Sequence, residues 1–265
     1  MGDLAVLRKT LGALDRVVAA FSGGADSAFL TWVAADTLGR DRVVAATAVS
    51  PSLAPNELAD CRRLADEWGL RWLPVETREL DRPQYVANGG DRCYHCKAEL
   101  LDTLAPVAAA MGATIVLGVN VDDLGDHRPG QQAAAERGAR FPLVESGFTK
   151  DDVRHSSRHL GLSTWDKPAA ACLASRLPYG TPVTVARLTA VARAEDGLRR
   201  LGFAESRVRH YGDLARVELP LRDLDAALAR RDAVVAAVRA AGYRYVTLDL
   251  EGLRSGNLNQ SLGAP

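Results

Sequence analysis

Residues 17–30 read VVAAFSGGADSAFL. An apolar run ends in a glycine-rich turn that opens at once into a helix-forming stretch, so the chain passes from strand through turn to helix. Backbone N–H groups at such a turn converge on one spot, with the positive end of the helix dipole behind them. Phosphate binds at such places. Gly23 and Gly24 can take φ > 0 and present no side chain to an approaching oxyanion, while Ser22 and Ser27 add hydroxyl donors. Asp26 would repel a phosphate unless a cation stood between them, which points to a Mg²⁺-bound nucleotide. The Lys of the GxxxxGK[ST] loop is absent, so transfer of a γ-phosphate has no support. The plain alternative is an ordinary glycine turn.

Outward from this turn, strand-like and helix-like segments alternate. The pattern predicts helices over 28–39, 55–69 and 96–111, and strands over 43–49, 71–75 and 114–119. Such alternation implies an α/β fold, a parallel sheet with helices on both faces and ligands at the carboxyl ends of its strands. The glycine turn falls at one such end. Another end leads into GVNVDDLGDHRPG (118–130), where Asn120 and Asp122 are candidates for nucleotide or Mg²⁺ contacts; its composition reads equally as a polar surface turn. After Trp165 the order becomes helix (183–201), strand (207–210), strand (215–219), helix (224–241) and strand (243–250). That order predicts a smaller C-terminal α+β domain, with residues 1–165 forming the nucleotide domain and 166–265 the second.

Composition sets limits. The chain has 265 residues with 33 basic and 33 acidic, so no global field draws it to nucleic acid or membrane. The N-terminus lacks the long uncharged core of a signal peptide, and no apolar run spans a bilayer, so a cytoplasmic location is expected. Cys61, Cys93, Cys96 and Cys172 are then thiols, metal ligands or catalytic groups before they are disulfides. Cys61 lies on a predicted helix and reads as packing.

Cys172 sits in KPAAACLASRLPYG (167–180), a loop bracketed by prolines. Lys167, Ser175 and Arg176 nearby would favour its thiolate, which could attack an activated carbonyl. The flanking alanines and Leu173 equally suit a small buried hydrophobe. Cys93-Tyr-His-Cys96 opens a helix, where a CxxC pair holds metal, is redox active or packs. A structural zinc needs four ligands, and there is no second CxxC.

The glycine turn resembles the PP-loop of the ATP pyrophosphatase superfamily, whose members transfer AMP and release pyrophosphate. Read in order, FSGGADS, DRCYHCKAEL, GVNVDDLGDHRPG, PLVESGFTKDDVR, KPAAACLASRLPYG, RVRHYGDLARVEL and DLEGLRSGNLNQ resemble the LarE-type ATP-dependent sacrificial sulfur transferases over nearly the whole chain. The resemblance implies the substrate pyridinium-3,5-biscarboxylic acid mononucleotide and a product on the route to the nickel-pincer cofactor of lactate racemase. It implies ATP on Ser22, Gly23, Gly24, Asp26 and Ser27, with Asp26, Arg176 and Cys172 catalytic and Cys172 the sulfur donor, left as dehydroalanine. It places the substrate on Ser175, Arg176, Arg207 and Arg209, a divalent cation on Glu195, Glu218 and Asp225, and the protein in a homo-oligomer, commonly a hexamer. An iron-sulfur cluster on Cys93, Cys96 and Cys172 is the competing sulfur source. A tRNA-thiolating enzyme is disfavoured by the neutral charge and few aromatic residues. An amidating ligase would need no Cys172, and a nucleotide sensor would release no pyrophosphate.

Overall fold

The computed structural model describes residues 2–125, 129–168 and 171–254. Asp126 of the Asp-rich loop, Ala169 and Ala170 before Cys172, and the SGNLNQ part of the last motif lie outside the described residues. Two compact units divide the chain. One is Met1–Arg82 with Asp91–Ala170, and the other is Pro83–Gly90 with Ala171–Pro265.

The first unit runs α1 (Leu4–Gly12), β1 (Val17–Ala20), α2 (Ala25–Leu38), β2 (Val43–Val49), α3 (Pro55–Trp68) and β3 (Arg71–Glu76). After Pro83–Gly90, which carries the short α4 (Pro83–Val86) of the other unit, it resumes with α5 (Arg92–Met111), β4 (Thr114–Leu117), α6 (Pro129–Glu136), α7 (Pro142–Glu145) and α8 (Lys150–His159). All strand pairs are parallel, in the order β3-β2-β1-β4. β1 therefore has β2 on one side and β4 on the other, and the sequence order reverses between β1 and β4. Ligand crevices of open α/β sheets lie at that reversal, outside the carboxyl ends.

Alternate residues along the strands face opposite ways, and the cores follow that alternation. Val17 and Ala19 of β1 and Val43 and Ala45 of β2 pack with α1, α2, α3 and α8 through Leu7, Phe29, Leu64 and Val153. Val18, Val44 and Ala46 pack on the other face with α5 and α6 through Leu101, Leu104 and Ala134. α2 is apolar nearly all round because it is buried nearly all round, from Ala25 to Ala35. Pro74, which cannot donate a ladder bond, is placed on β3 at the sheet edge. Gly69 and Gly112 end α3 and α5 in the left-handed conformation.

In the second unit come α9 (Val185–Arg200), β5 (Arg207–Tyr211), β6 (Leu214–Glu218), α10 (Leu224–Ala229), α11 (Arg231–Arg239) and β7 (Tyr245–Leu248). β5 and β6 are antiparallel and β6 and β7 parallel. Val208, Ala215 and Val217 pack one sheet face against Leu198 of α9 and Val238 of α11. One helix was expected over 224–241; two form, because the chain turns out of helical geometry at Arg230, whose φ and ψ are −113° and 24°. Among the described residues no helix is long and apolar enough to cross a membrane.

Gly118, just past β4, meets the start of α2 so closely that an added Cβ would lie 2.7 Å from the Ser27 amide nitrogen. Neither backbone can yield cheaply. Gly118→Ala is expected to destabilise the protein by about 1–3 kcal/mol, as overpacking does. Gly12→Ala, where an added Cβ meets nothing within 4 Å, should be neutral or slightly stabilising. Thermal unfolding of both variants checks this, and equal midpoints would contradict it.

Candidate functional site

In the first unit the glycine turn bridges β1 and α2. Gly23 has φ 68° and Gly24 caps α2 in extended conformation, with no side-chain hydrogen bond at that cap. The first-turn N–H groups of α2 are thus left to an incoming anion. Ser27 ties the turn together: its hydroxyl accepts from the Ser22 N–H at 3.2 Å, lies 3.0 Å from the Ser22 hydroxyl and donates to the Gly24 carbonyl at 3.2 Å. Beneath it, Thr47 donates to the Phe21 carbonyl and accepts from Trp72 Nε1, at 2.7 and 2.9 Å. Cys61 fills the remaining space, its Sγ 3.0 Å from where a Cβ on Gly23 would sit. Burial pushes its thiol pKa up, which suits packing rather than nucleophilic work.

The loop after β4 closes onto this turn. Asn120, fully buried, donates from Nδ2 to Asp26 Oδ1 at 3.1 Å. Asn120 and Asp123 exchange backbone-to-side-chain bonds at 3.2 Å, which holds that amide in place. Burial raises the Asp26 carboxyl pKa, while the Asn120 bond and the Lys150 charge pull the other way and the Asp123 charge adds to the rise. Asp122 is directed elsewhere, accepting from the Lys150 N–H at the start of α8 at 2.8 Å. Lys167 is held by Glu57 and Asp60 at 2.9 and 3.0 Å within the first unit, so its charge is already compensated there.

In the second unit Cys172 is exposed and opens a 3₁₀ turn, Leu173–Arg176. Its carbonyl accepts from the Ser175 N–H, the Ser175 hydroxyl and Arg176 Nη1, at 3.0, 2.7 and 3.2 Å. The Arg176 guanidinium is buried, forked onto Glu195 at 2.9 and 3.1 Å, and Glu195 also accepts from the Val208 N–H. Arg209 repeats the motif: it forks onto Glu218 at 3.0 and 2.8 Å and donates to the Ser175 carbonyl at 2.9 Å. On the polar face of this sheet Arg209 stands opposite Arg216, a repulsive pairing that Glu218 offsets by accepting from both. Burial, with the charges of Arg176 and Arg209, pushes the Arg207 pKa down. Asn88, fully buried, anchors the following loop by donating to the Pro178 and Thr181 carbonyls at 2.8 and 2.9 Å.

The sequence candidates thus gather in two places. Ser22, Gly23, Gly24, Asp26, Ser27 and Asn120 form one group, and Cys172, Ser175, Arg176, Arg207, Arg209, Glu195 and Glu218 the other. Asp225 lies in the first turn of α10. Glu195 and Glu218 are each spent on arginine, and among the described residues no group of three or more His, Cys, Asp or Glu is placed to hold a metal ion. Sequence reading missed Thr47, Gly118 and Asn88. Asn88 had a signal in Asn-Gly-Gly (88–90), a turn-forming run, whereas Thr47 looks like any strand residue.

No family model matches the chain. It is 40% identical over 267 residues to the pyridinium-3,5-bisthiocarboxylic acid mononucleotide synthase of Lactiplantibacillus plantarum, covering 99% of this chain and 97% of that one. It is 50% identical over 262 residues to an uncharacterized protein of Synechocystis sp., covering 97% and 96%. An uncharacterized protein of Methanocaldococcus jannaschii is 24% identical over 241 residues, 91% of each chain.

The geometry makes two stability predictions. With its pKa raised, Asp26 binds its proton more tightly folded than unfolded, so its contribution is greatest at low pH and is lost as pH rises through the folded value. Asp26→Asn should therefore raise Tm at neutral pH and lose that advantage near about pH 3; a lower Tm at neutral pH would contradict this. Glu218→Gln, which strands the buried Arg209, should cost about 3–5 kcal/mol in denaturant unfolding. A cost under about 1 kcal/mol, the worth of an exposed pair, would contradict the pairing.

Proposed function

We propose, because the chain belongs to the pyridinium-3,5-bisthiocarboxylic acid mononucleotide synthase family, that it is an ATP-dependent sulfur transferase that converts the carboxylates of pyridinium-3,5-biscarboxylic acid mononucleotide to thiocarboxylates. The observation that carries the proposal is 40% identity, over nearly the full length, to a synthase of that name, in a chain that holds a solvent-accessible thiol at Cys172.

In the first unit the turn from Ser22 to Ser27 would cradle the ATP phosphates through its N–H groups and hydroxyls. Mg²⁺ fits beside Asp26, a half-buried carboxylate whose pKa burial pushes up; when bound it would neutralise charge between that carboxylate and the phosphates. Asn120 orients the carboxylate. A substrate carboxylate then attacks the α-phosphorus, pyrophosphate leaves, and the acyl group gains AMP as a leaving group.

Cys172 supplies the sulfur. Its thiolate displaces AMP to give a thioester; loss of the Cys172 Cα proton and cleavage of the Cβ–S bond leave the thiocarboxylate and a dehydroalanine. The Cys172 carbonyl, held by three donors, fixes the backbone from which that side chain projects. Arg207 would attract a substrate carrying carboxylates and phosphate, with Ser175 and Arg176 shaping the same turn; Arg209, buried and forked onto Glu218, would join it only by exchanging that partner for the substrate. Glu195 and Glu218 keep the buried guanidiniums in place, and recruiting them with Asp225 to a cation would require them to release Arg176 and Arg209. We further assign homo-oligomer contacts to the second unit, where Leu221, Leu228, Tyr245 and Leu250 are exposed, and a cytoplasmic place of action.

Two variants separate the half-reactions. Asp26→Ala should lower pyrophosphate release about a hundredfold, the cost of removing a positioned polar group. Cys172→Ala should still release pyrophosphate and form no thiocarboxylate. Thiocarboxylate made by Cys172→Ala would overturn the assignment of the donor.

A further inference from the structure

α8 carries two histidines, His155 and His159, that take no part in the chemistry above. They stand four residues apart, so their side chains leave neighbouring turns on one face of the helix, with Cβ atoms about 5–6 Å apart. Both are exposed, and both line the same two shallow surface clefts, one shared with Gly2 and Ser156 and the other with Arg158. Among the described residues neither ring makes a hydrogen bond or an ion pair, whereas His95 is bonded to Asp91 and His210 to Tyr243. Two imidazoles at this spacing are the chelating pair of helical zinc sites, each able to bring a ring nitrogen to about 2.0–2.1 Å from one ion.

The charge around the pair favours a cation. His159 lies in the last turn of α8, where the helix dipole is negative. Asp151 and Asp152 stand one turn before His155. Asp152 stays ionised: bonds from the Gly2 N–H at 2.9 Å and from the Thr149 hydroxyl at 2.7 Å lower its carboxyl pKa. Arg158, the nearest competing cation on this face, is held over the Trp165 ring at 5.0 Å. The helix beneath is itself fixed, by the capping box of Thr149 and Asp152 at its start and by the buried Val153 and Ser157 on its inner face. The two rings therefore stand on a rigid element, which keeps the cost of bringing them together small.

We propose that His155 and His159 together bind a first-row divalent cation of the class that imidazole prefers, nickel, copper or zinc, with water completing its coordination. Nitrogen donors discriminate against Mg²⁺ and Ca²⁺, which take oxygen ligands, so this ion is distinct from the Mg²⁺ assigned to Asp26. Copper(II) should bind more tightly than nickel(II) or zinc(II), as it does at nitrogen sites generally. Once one imidazole holds the ion the other meets it at high effective concentration, which is where the affinity of the pair comes from. No step of sulfur transfer depends on the site, so it stands or falls apart from the ATP and Cys172 readings.

The test uses the full chain without an affinity tag, its accessible thiols capped with N-ethylmaleimide so that cysteine does not compete for the metal. Calorimetric titration with Ni²⁺ should show a single saturable site that excess Mg²⁺ does not disturb. His155→Ala and His159→Ala should each weaken that binding about a hundredfold, the lower end of what joining two weak sites gains. With an equivalent of Cu²⁺, electron paramagnetic resonance should show nitrogen hyperfine splitting from both rings, and a simpler pattern in either variant. Because both positions are exposed, the metal-free unfolding midpoints of the variants should match the wild type, and added Ni²⁺ should raise the midpoint of the wild type alone. Wild type that takes up no Ni²⁺, Ni²⁺ bound equally by the wild type and either variant, or a copper spectrum without nitrogen splitting would each overturn the site.

Discussion

The 3.1 Å hydrogen bond from Asn120 to Asp26 exists because residue 118 has no side chain. β4 leaves the sheet beside β1, and the strand order that reverses there sets two loops side by side at the carboxyl edge. Any Cβ at position 118 would drive the two backbones apart and carry Asn120 away from Asp26. The parallel sheet thus supplies the position and the glycine supplies the approach. Together they place a half-buried carboxylate in the first turn of α2, where its charge would oppose an incoming phosphate unless a cation stood between them. Its raised pKa records the cost of burying that charge. Stability is given up at the point where a charged ligand would restore it.

The second unit answers a different problem. A sheet only three strands wide has one face for its core, and the other face carries Arg207, Arg209, Arg216 and Glu218. Buried arginines are tolerated because each forks onto a carboxylate, Arg176 onto Glu195 and Arg209 onto Glu218. Both also donate to the turn at Cys172, through the Cys172 and Ser175 carbonyls. The thiol is exposed while the backbone carrying it is fixed from behind, which suits the sulfur-donor role proposed for Cys172, since the turn would keep its backbone bonds when the Cβ–S bond breaks.

Much of this was legible in the sequence where local chemistry decides it. The β2 strand at 43–49 follows from VVAATAV, an apolar stretch broken only by the β-branched Thr47, and the ends of α3 and α5 from Gly69 and Gly112, which alone accept the left-handed conformation cheaply. The glycine turn was visible because its residue types are those an anion site needs. Where long-range pairing decides, the sequence was silent. It could not say that Glu195 and Glu218 would be bound by arginines, since acidic residues that ligate a cation and those that compensate a guanidinium look alike. Nor could it show that Pro83–Gly90 would join the second unit and anchor the loop past Cys172 through Asn88, since that contact spans 90 residues. The break at Arg230 was hidden because the apolar pattern on its two sides runs on as though the helix were continuous.

The proposed mechanism has the chain spend Cys172 as its own sulfur source. Its most direct test is the intact mass of the protein before and after incubation with ATP, Mg²⁺ and pyridinium-3,5-biscarboxylic acid mononucleotide, with peptide mapping across Cys172. The account predicts a loss of about 34 Da, one H₂S equivalent, confined to Cys172 and matched by thiocarboxylate formed. Thiocarboxylate formed with Cys172 unchanged in mass would contradict it.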